Sequence, residues 1–322
     1  MGLKILSLLL FFLAFGSMTS VKSPDAEICN GLLRAKLYLP DPQNGYYQGS
    51  RFDWSGNISS LTYNGHEYFG RWFKSGDPDL HDTIMGPAEE FAPLDYEVTI
   101  PGDTFVKIGI GTLIKPDEKP YVSGRQLSIL NHGIWTVNKQ SDQVQFIHEL
   151  KDENYSYIYQ KTVQLVINKA QLILFHSLKN TGKRTIETTV YCHNFFVIDQ
   201  QPTGPAFTVK FPYPISGVGV GSGELIDIKD NKIEFLRNLK EGETVYYGSL
   251  SGFSRSPKDF DIRIENQKTG GGVCITSDQP IDKLVFWACA TTLCPEPYIN
   301  IKVEPGKEFK WKINYEFYTV QN

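Results

Sequence analysis

Short apolar runs broken by turn signals recur along almost the whole chain, and this rhythm restricts its fold more than any other feature. "KTVQLVI" (161–167) and "QLILFHSL" (171–178) are rich in β-branched and aliphatic residues and are separated by "NKA". Such a pattern predicts a hairpin. "NTGKRT" (180–185) is the next turn and leads into "TTVYCHNFFVID" (188–199), while "DKLVFWACATTL" (282–293) and "EFKWKINYEFYTV" (308–320) read as two further strands. Convincing amphipathic helices are absent, and the long connections are polar and rich in Gly and Pro. Many short strands at this spacing predict an all-β sandwich. No fixed-period repeat is present, which argues against a propeller, and no linker interrupts the chain, which predicts one domain over residues 23–322.

The first residues, "MGLKILSLLLFFLAFGSMTSVK", combine one lysine, an apolar run from Ile5 to Phe15 and small residues after it. This is the layout of a secretory signal peptide, and the run is shorter than the roughly 20 residues a bilayer span needs. Residues 1–22 are therefore expected to be a leader, cleaved between Ser17 and Lys22, with the mature chain secreted or periplasmic. A net charge of −4 argues against a nucleic-acid partner, which calls for a basic surface. No later stretch is long enough for a membrane span. Five cysteines are too few for a disulfide scaffold. Cys289 and Cys294 are close enough in sequence to bridge, although spacing does not supply the geometry. "NIS" at Asn57 and "NYS" at Asn154 fit the glycosylation triplet, which has meaning only in a eukaryotic secretory pathway.

The neighbours Cys192 and His193 invite a nucleophile-and-base reading, but successive side chains of a strand point to opposite faces. One face would carry Glu187, Thr189, Tyr191, His193 and Phe195; the other Ile186, Thr188, Val190, Cys192 and Asn194. Cys192 then reads as a small buried hydrophobe. His193 reads either as a satisfied structural histidine or as part of a ligand-facing wall. The six histidines show no paired spacing of the kind zinc sites use, so no metal is expected. "GVGVGSGE" (217–224) lacks the ending of a phosphate loop and reads as a glycine-rich hairpin. Glu296 is fenced by Pro295 and Pro297, which suits the end of a strand better than its middle. It reads as a rigidly held general base or as a solvated loop acid, and the doublet Glu89-Glu90 shares the solvated-acid reading. "YYQGSRFDWSG" (46–56) sets Arg51 and Trp54 among aromatic and small residues, the types that stack on and hydrogen-bond to a sugar.

Three of these segments, in this order, resemble the galactose mutarotase (aldose 1-epimerase) superfamily. They are "GSRFDWSGNISSLTYNGHEY", "LFHSLKNTGKRTIETTVYCHNFF" and "CPEPYINIKVEPGKEFKWKINYEFY". "LNHGIWTV" (130–137) is a weaker fourth match. The resemblance implies a large β-supersandwich and an enzyme that interconverts sugar anomers without a cofactor. It implies that His193, protonated, is the general acid and Glu296 the general base, and that Arg51, Trp54 and His132 contact a mono- or oligosaccharide. Where the superfamily has an arginine-bearing segment this chain has "GPAEEFAP", which adds Glu89 and Glu90 to the sugar-facing candidates. The usual doubled glycine is "HGIW" here. The superfamily's fold also serves carbohydrate-binding and polysaccharide-processing proteins, which stand as the alternative functions.

Overall fold

The computed structural model describes residues 22–320; the leader-like segment, apart from Lys22, lies outside the described residues. Among them are 22 strands, three single-turn 3-10 segments and no α-helix. The expected hairpin is present as Tyr157–Leu165 and Gln171–Asn180, paired antiparallel from Leu165↔Leu172 to Tyr157↔Asn180. These strands lie within a ten-stranded sheet. A five-stranded sheet is formed by Gly86–Phe91, Ile186–Phe195, Thr292–Val303, Lys283–Cys289 and Thr244–Leu250, in that order across the sheet. Smaller sheets of four and three strands complete the structure.

Alternation decides which face is buried. Leu172, Leu174, His176 and Leu178 turn inward from Gln171–Asn180, and Trp311, Ile313, Tyr315 and Phe317 do so from Glu308–Thr319. They meet Val190, Cys192 and Asn194 of Ile186–Phe195: Tyr315 donates its hydroxyl proton to Asn194 Oδ1 (2.6 Å), and its oxygen lies 3.3 Å from Cys192 Sγ. The apolar core between the two large sheets draws residues from Ile28 to Phe317. Cys192 is buried in it as expected.

Two local expectations need correction, and the open question of a Cys289–Cys294 bridge is answered. The run 282–293 is not one strand but Lys283–Cys289, a tight turn at Ala290-Thr291, and the start of Thr292–Val303. The glycine-rich segment 217–224 is not a hairpin but a loop, held to its neighbours by the single bridges Val220↔Tyr246 and Ser222↔Ile226. All five cysteines are free, Cys289 and Cys294 included.

The sandwich core also encloses charge. Lys161, His176 and Trp311 stand opposite one another across three strands, and Glu89 reaches down to them from Gly86–Phe91. Its carboxylate accepts from Lys161 Nζ and, at 2.8 Å, from His176 Nε2; Lys161 also donates to the Ser55 carbonyl (3.0 Å). Burial alone would raise the Glu89 pKa, but Lys161 and His176 outweigh it and hold it at about 2. Burial keeps His176 neutral, stacked 4.6 Å from Trp311. Asp53, buried nearby and bonded by Ser55 and Tyr159, is pushed up to about 7, chiefly by burial. Removing one partner of a buried ion pair strands the other charge and costs about 3–5 kcal/mol. Glu89→Ala is therefore expected to lose that much in chemical denaturation, and adding Lys161→Met should restore most of it. A Glu89→Ala protein as stable as the wild type would contradict this account of the core.

Candidate functional site

The outer face of the five-stranded sheet carries the candidate site, and its register explains how. Ile186–Phe195 pairs with Thr292–Val303 from Ile186↔Val303 to Tyr191↔Tyr298, and pairing resumes at the single bridge Phe196↔Leu293. The register is the same on both sides of the lapse, so His193 stands directly opposite Glu296 and Phe195 opposite Cys294. The lapse coincides with Pro295 and Pro297, which have no N–H to give the ladder. Glu296 was expected at a strand end; it lies in mid-strand, which the structure tolerates because the missing donors fall where the ladder is open. Asn194 spans the opening, its Nδ2 donating to the Pro295 carbonyl at 2.9 Å.

His193 Nε2 lies 3.2 Å from Glu296 Oε1, and each residue is 4% exposed. The imidazole stacks on Phe195 (3.9 Å between centroids, 7° between planes) and meets Phe52 and Trp287 edge-on. Its Nδ1 is enclosed without a hydrogen-bond partner, so the Nε2 edge facing Glu296 is the edge available for chemistry. Burial, reinforced by the nearby Arg51 cation, holds His193 well below the usual histidine range. Burial pushes Glu296 up to about 8 against the pull of Arg51, and Glu90 adds to the rise. Near neutral pH the pair is thus a carboxylic acid beside a neutral imidazole. The resemblance implied the opposite distribution, a carboxylate beside an imidazolium. The physical reason is burial: separated charge costs more here than one proton shared between two neutral groups.

Arg51 and Glu90 flank the pair. Arg51 Nε donates to Glu90 Oε2 (2.7 Å) and Nη2 to the Tyr191 hydroxyl (3.0 Å), which itself donates to Glu90. Lys107, wholly buried, donates to the Arg51 carbonyl (2.8 Å) and to Tyr121, and lies 3.6 Å from Glu90. Burial lowers the Lys107 ammonium to about 8 although Glu90 resists the fall. Burial would raise Glu90, yet Arg51 and Lys107 outweigh it and keep it ionised. Tyr298 stacks on Tyr191 at 4.3 Å.

Of the seven residues singled out from the sequence, the structure brings together His193, Glu296, Arg51 and Glu90. Glu89 points the other way, into the sandwich core, because adjacent residues of a strand take opposite faces. Trp54 is a packing residue, 2% exposed, its indole N–H spent on the Gly49 carbonyl (2.8 Å). His132 packs on Trp54 with ring centroids 5.1 Å apart, and its carbonyl accepts from His148 Nε2 (2.8 Å). Gly133 beside it has φ +63, and an added Cβ would meet His148 Nε2 at 2.4 Å. That segment is therefore held in place by His148. Sequence reasoning missed Tyr298, Lys107 and Trp287. Alternation placed Tyr191 on the His193 face, but nothing local in "TFVKIGIG" marks Lys107 as part of a charge cluster.

A scan of protein-family models and a search of curated proteins found no match to this sequence. Solved structures do match. The GalM/aldose epimerase homologue from C. elegans is 15% identical over 93% of this chain and 100% of its own, with a TM-score of 0.59. A galactose mutarotase related enzyme from Lactobacillus acidophilus is 13% identical over 92% and 98%, at 0.56. A galactose mutarotase-like protein from Clostridium acetobutylicum is 15% identical over 92% and 95%, at 0.55. This is the galactose mutarotase-like fold. At such identities the likeness establishes the mutarotase-like sandwich alone, and the chemistry of the site has to be argued from its side chains.

The raised Glu296 pKa makes a signed prediction. Between pH 4.5 and 8 the folded protein keeps a proton that the unfolded chain has released. Stability therefore falls with rising pH across that window, by about 1.4 kcal/mol per pH unit from this group, and levels off above it. Glu296→Gln lacks the titration, so its stability relative to wild type should climb from pH 4.5 to 8. Parallel stability–pH curves for the two proteins would contradict the assignment.

Proposed function

We propose that this protein is an exported sugar epimerase of the aldose 1-epimerase type, using Glu296 and His193 as its acid–base pair. The observation that carries this reading is the 3.2 Å contact between a buried carboxyl and a buried imidazole whose pKa values are displaced in opposite directions. Paired titratable groups pushed apart in this way suit general acid–base work near neutral pH. The mutarotase-like fold supports the substrate class, and the leader-like residues 1–22 support export.

The proton inventory of the pair fits ring opening. Nε2 of neutral His193 takes the proton of the anomeric hydroxyl while the electrons of that O–H bond form the C1 carbonyl. The bond from C1 to the ring oxygen breaks, and that oxygen takes the proton of Glu296. Rotation about C1–C2 presents the other carbonyl face, and the reverse transfers close the ring and restore both groups. No cofactor enters the balance. Arg51, fixed by Glu90 and Tyr191, stabilises the carboxylate that Glu296 becomes in mid-cycle.

A second reading, carbohydrate binding without turnover, is favoured by one feature: Arg51 is already committed to hydrogen bonds with Glu90 and Tyr191. Saturation-transfer NMR of anomer exchange across hexoses, pentoses, deoxy sugars and uronic acids separates the two. The epimerase reading expects exchange above the spontaneous rate and a loss of about 100-fold or more in Glu296→Gln. Saturable sugar binding with no acceleration would support the binding protein instead. For an active enzyme the rate should also fall as pH rises through about 8, where Glu296 gives up the proton it must donate. A rate still climbing through pH 9 would exclude the carboxylic acid as donor.

A further inference from the structure

The face that carries the pair continues to the edge of the sheet. Val285 stands opposite Glu296, Lys283 opposite Tyr298, and Trp287 opposite both Cys294 and, on the edge strand, Tyr246. Opposite residues share a face, so Tyr246, Trp287, Tyr298 and Lys283 surround Val285 beside Glu296. Val285 is buried at 2% and forms a floor, whereas Tyr246 is 47% exposed. An added Cβ at Gly248 would meet the Tyr246 ring and hydroxyl at 3.2 Å, so the tyrosine lies along its own strand over Gly248 instead of projecting into solvent. Trp287 is half-buried, meeting His193 edge-on at 5.5 Å and Trp72 at 5.6 Å. Tyr298 is backed by Tyr191, with Lys283 Nζ 5.2 Å from its ring centroid. Burial first, then Glu296 and Glu90, keep the Tyr298 phenol protonated against the opposing hydrogen bond with Tyr191, hence a hydrogen-bond donor.

Two aromatic faces next to each other, one lying flat, with a phenol and an ammonium at the rim, match a pyranose, which offers an apolar C–H face and a belt of hydroxyl groups. Tyr246 stands two strands across and two residues along from Glu296, about 12 Å at the usual strand geometry. A single ring at Glu296 does not cover that distance, and a second ring linked to it does. We propose that Tyr246 and Trp287, with Tyr298 and Lys283 at the rim, form a second pyranose site, so that the ligand of this face is an oligosaccharide whose reducing-end ring reaches Glu296. This rests on reading the face as a sugar site.

The test is calorimetric titration of the full chain with maltose, cellobiose, lactose and xylobiose, each against the monosaccharide at its reducing end. For at least one pair the disaccharide should bind tenfold or more tightly. Tyr246→Ala should bring that ratio close to one, while Phe175→Ala, on the outer face of the ten-stranded sheet, should leave it intact. Equal affinity at both lengths, no binding at either, or a ratio that survives Tyr246→Ala would overturn the proposal. The outcomes also separate this inference from the epimerase reading. Anomer exchange without length dependence leaves the enzyme and removes the second site. Length-dependent binding without exchange leaves the second site and removes the enzyme.

Discussion

A side-chain amide holds two strands in register where their backbones do not. Between Tyr191↔Tyr298 and Phe196↔Leu293 the ladder lapses, because Pro295 and Pro297 have no N–H to contribute. Asn194 bonds the Pro295 carbonyl across the opening and is itself held by Tyr315 from the opposite sheet. With the strands pinned on both sides of the lapse, His193 falls opposite Glu296 and Phe195 opposite Cys294. The 3.2 Å contact of the acid–base pair and the stack of Phe195 on His193 both follow from that register. A slip by one residue would send every side chain on the strand to the other face.

Charge is arranged on the same principle of alternation. Glu89 and Glu90 are adjacent on Gly86–Phe91 and so face opposite sides of the sheet. Glu89 neutralises Lys161 inside the sandwich, and Glu90 neutralises Arg51 on the outer face, with Lys107 3.6 Å away. Two neighbouring carboxylates therefore satisfy cations in separate compartments. Among the described residues Glu296 has no lysine or arginine at salt-bridge distance, and burial leaves it protonated. The contrast between Glu90 and Glu296, two buried glutamates on one face, comes from which of them the guanidinium of Arg51 actually bonds.

Much of the fold was legible because strand alternation and turn chemistry are local. The hairpin at 157–180, the turn at 180–185 and the inward placement of Cys192 needed only period-two pattern and turn residues. What misled was equally local. Pro295 and Pro297 argued for a strand end, since the neighbouring strand's open ladder is not written near them. Trp54 looked like a sugar-stacking residue because the residue type is the same whether its ring meets solvent or, as here, an apolar cluster with Phe52, Leu113 and Phe195. The continuous run at 282–293 concealed a turn at Ala290-Thr291 that has neither Gly nor Pro to announce it.

By itself the sequence determined the all-β class, the approximate strands, and which face of Ile186–Phe195 holds His193, because those depend on residues a few positions apart. It also contained the residues by which the chain resembles the mutarotase superfamily. Only the tertiary structure decided that Glu296 meets His193, that Glu90 and not Glu89 flanks them, and that Tyr246 and Trp287 extend the face. These partners lie tens to more than a hundred residues apart, and their meeting depends on strand order and register. The protonation of the pair was decided there too, because a pKa displaced by burial depends on everything that excludes water, and no stretch of sequence carries that information alone.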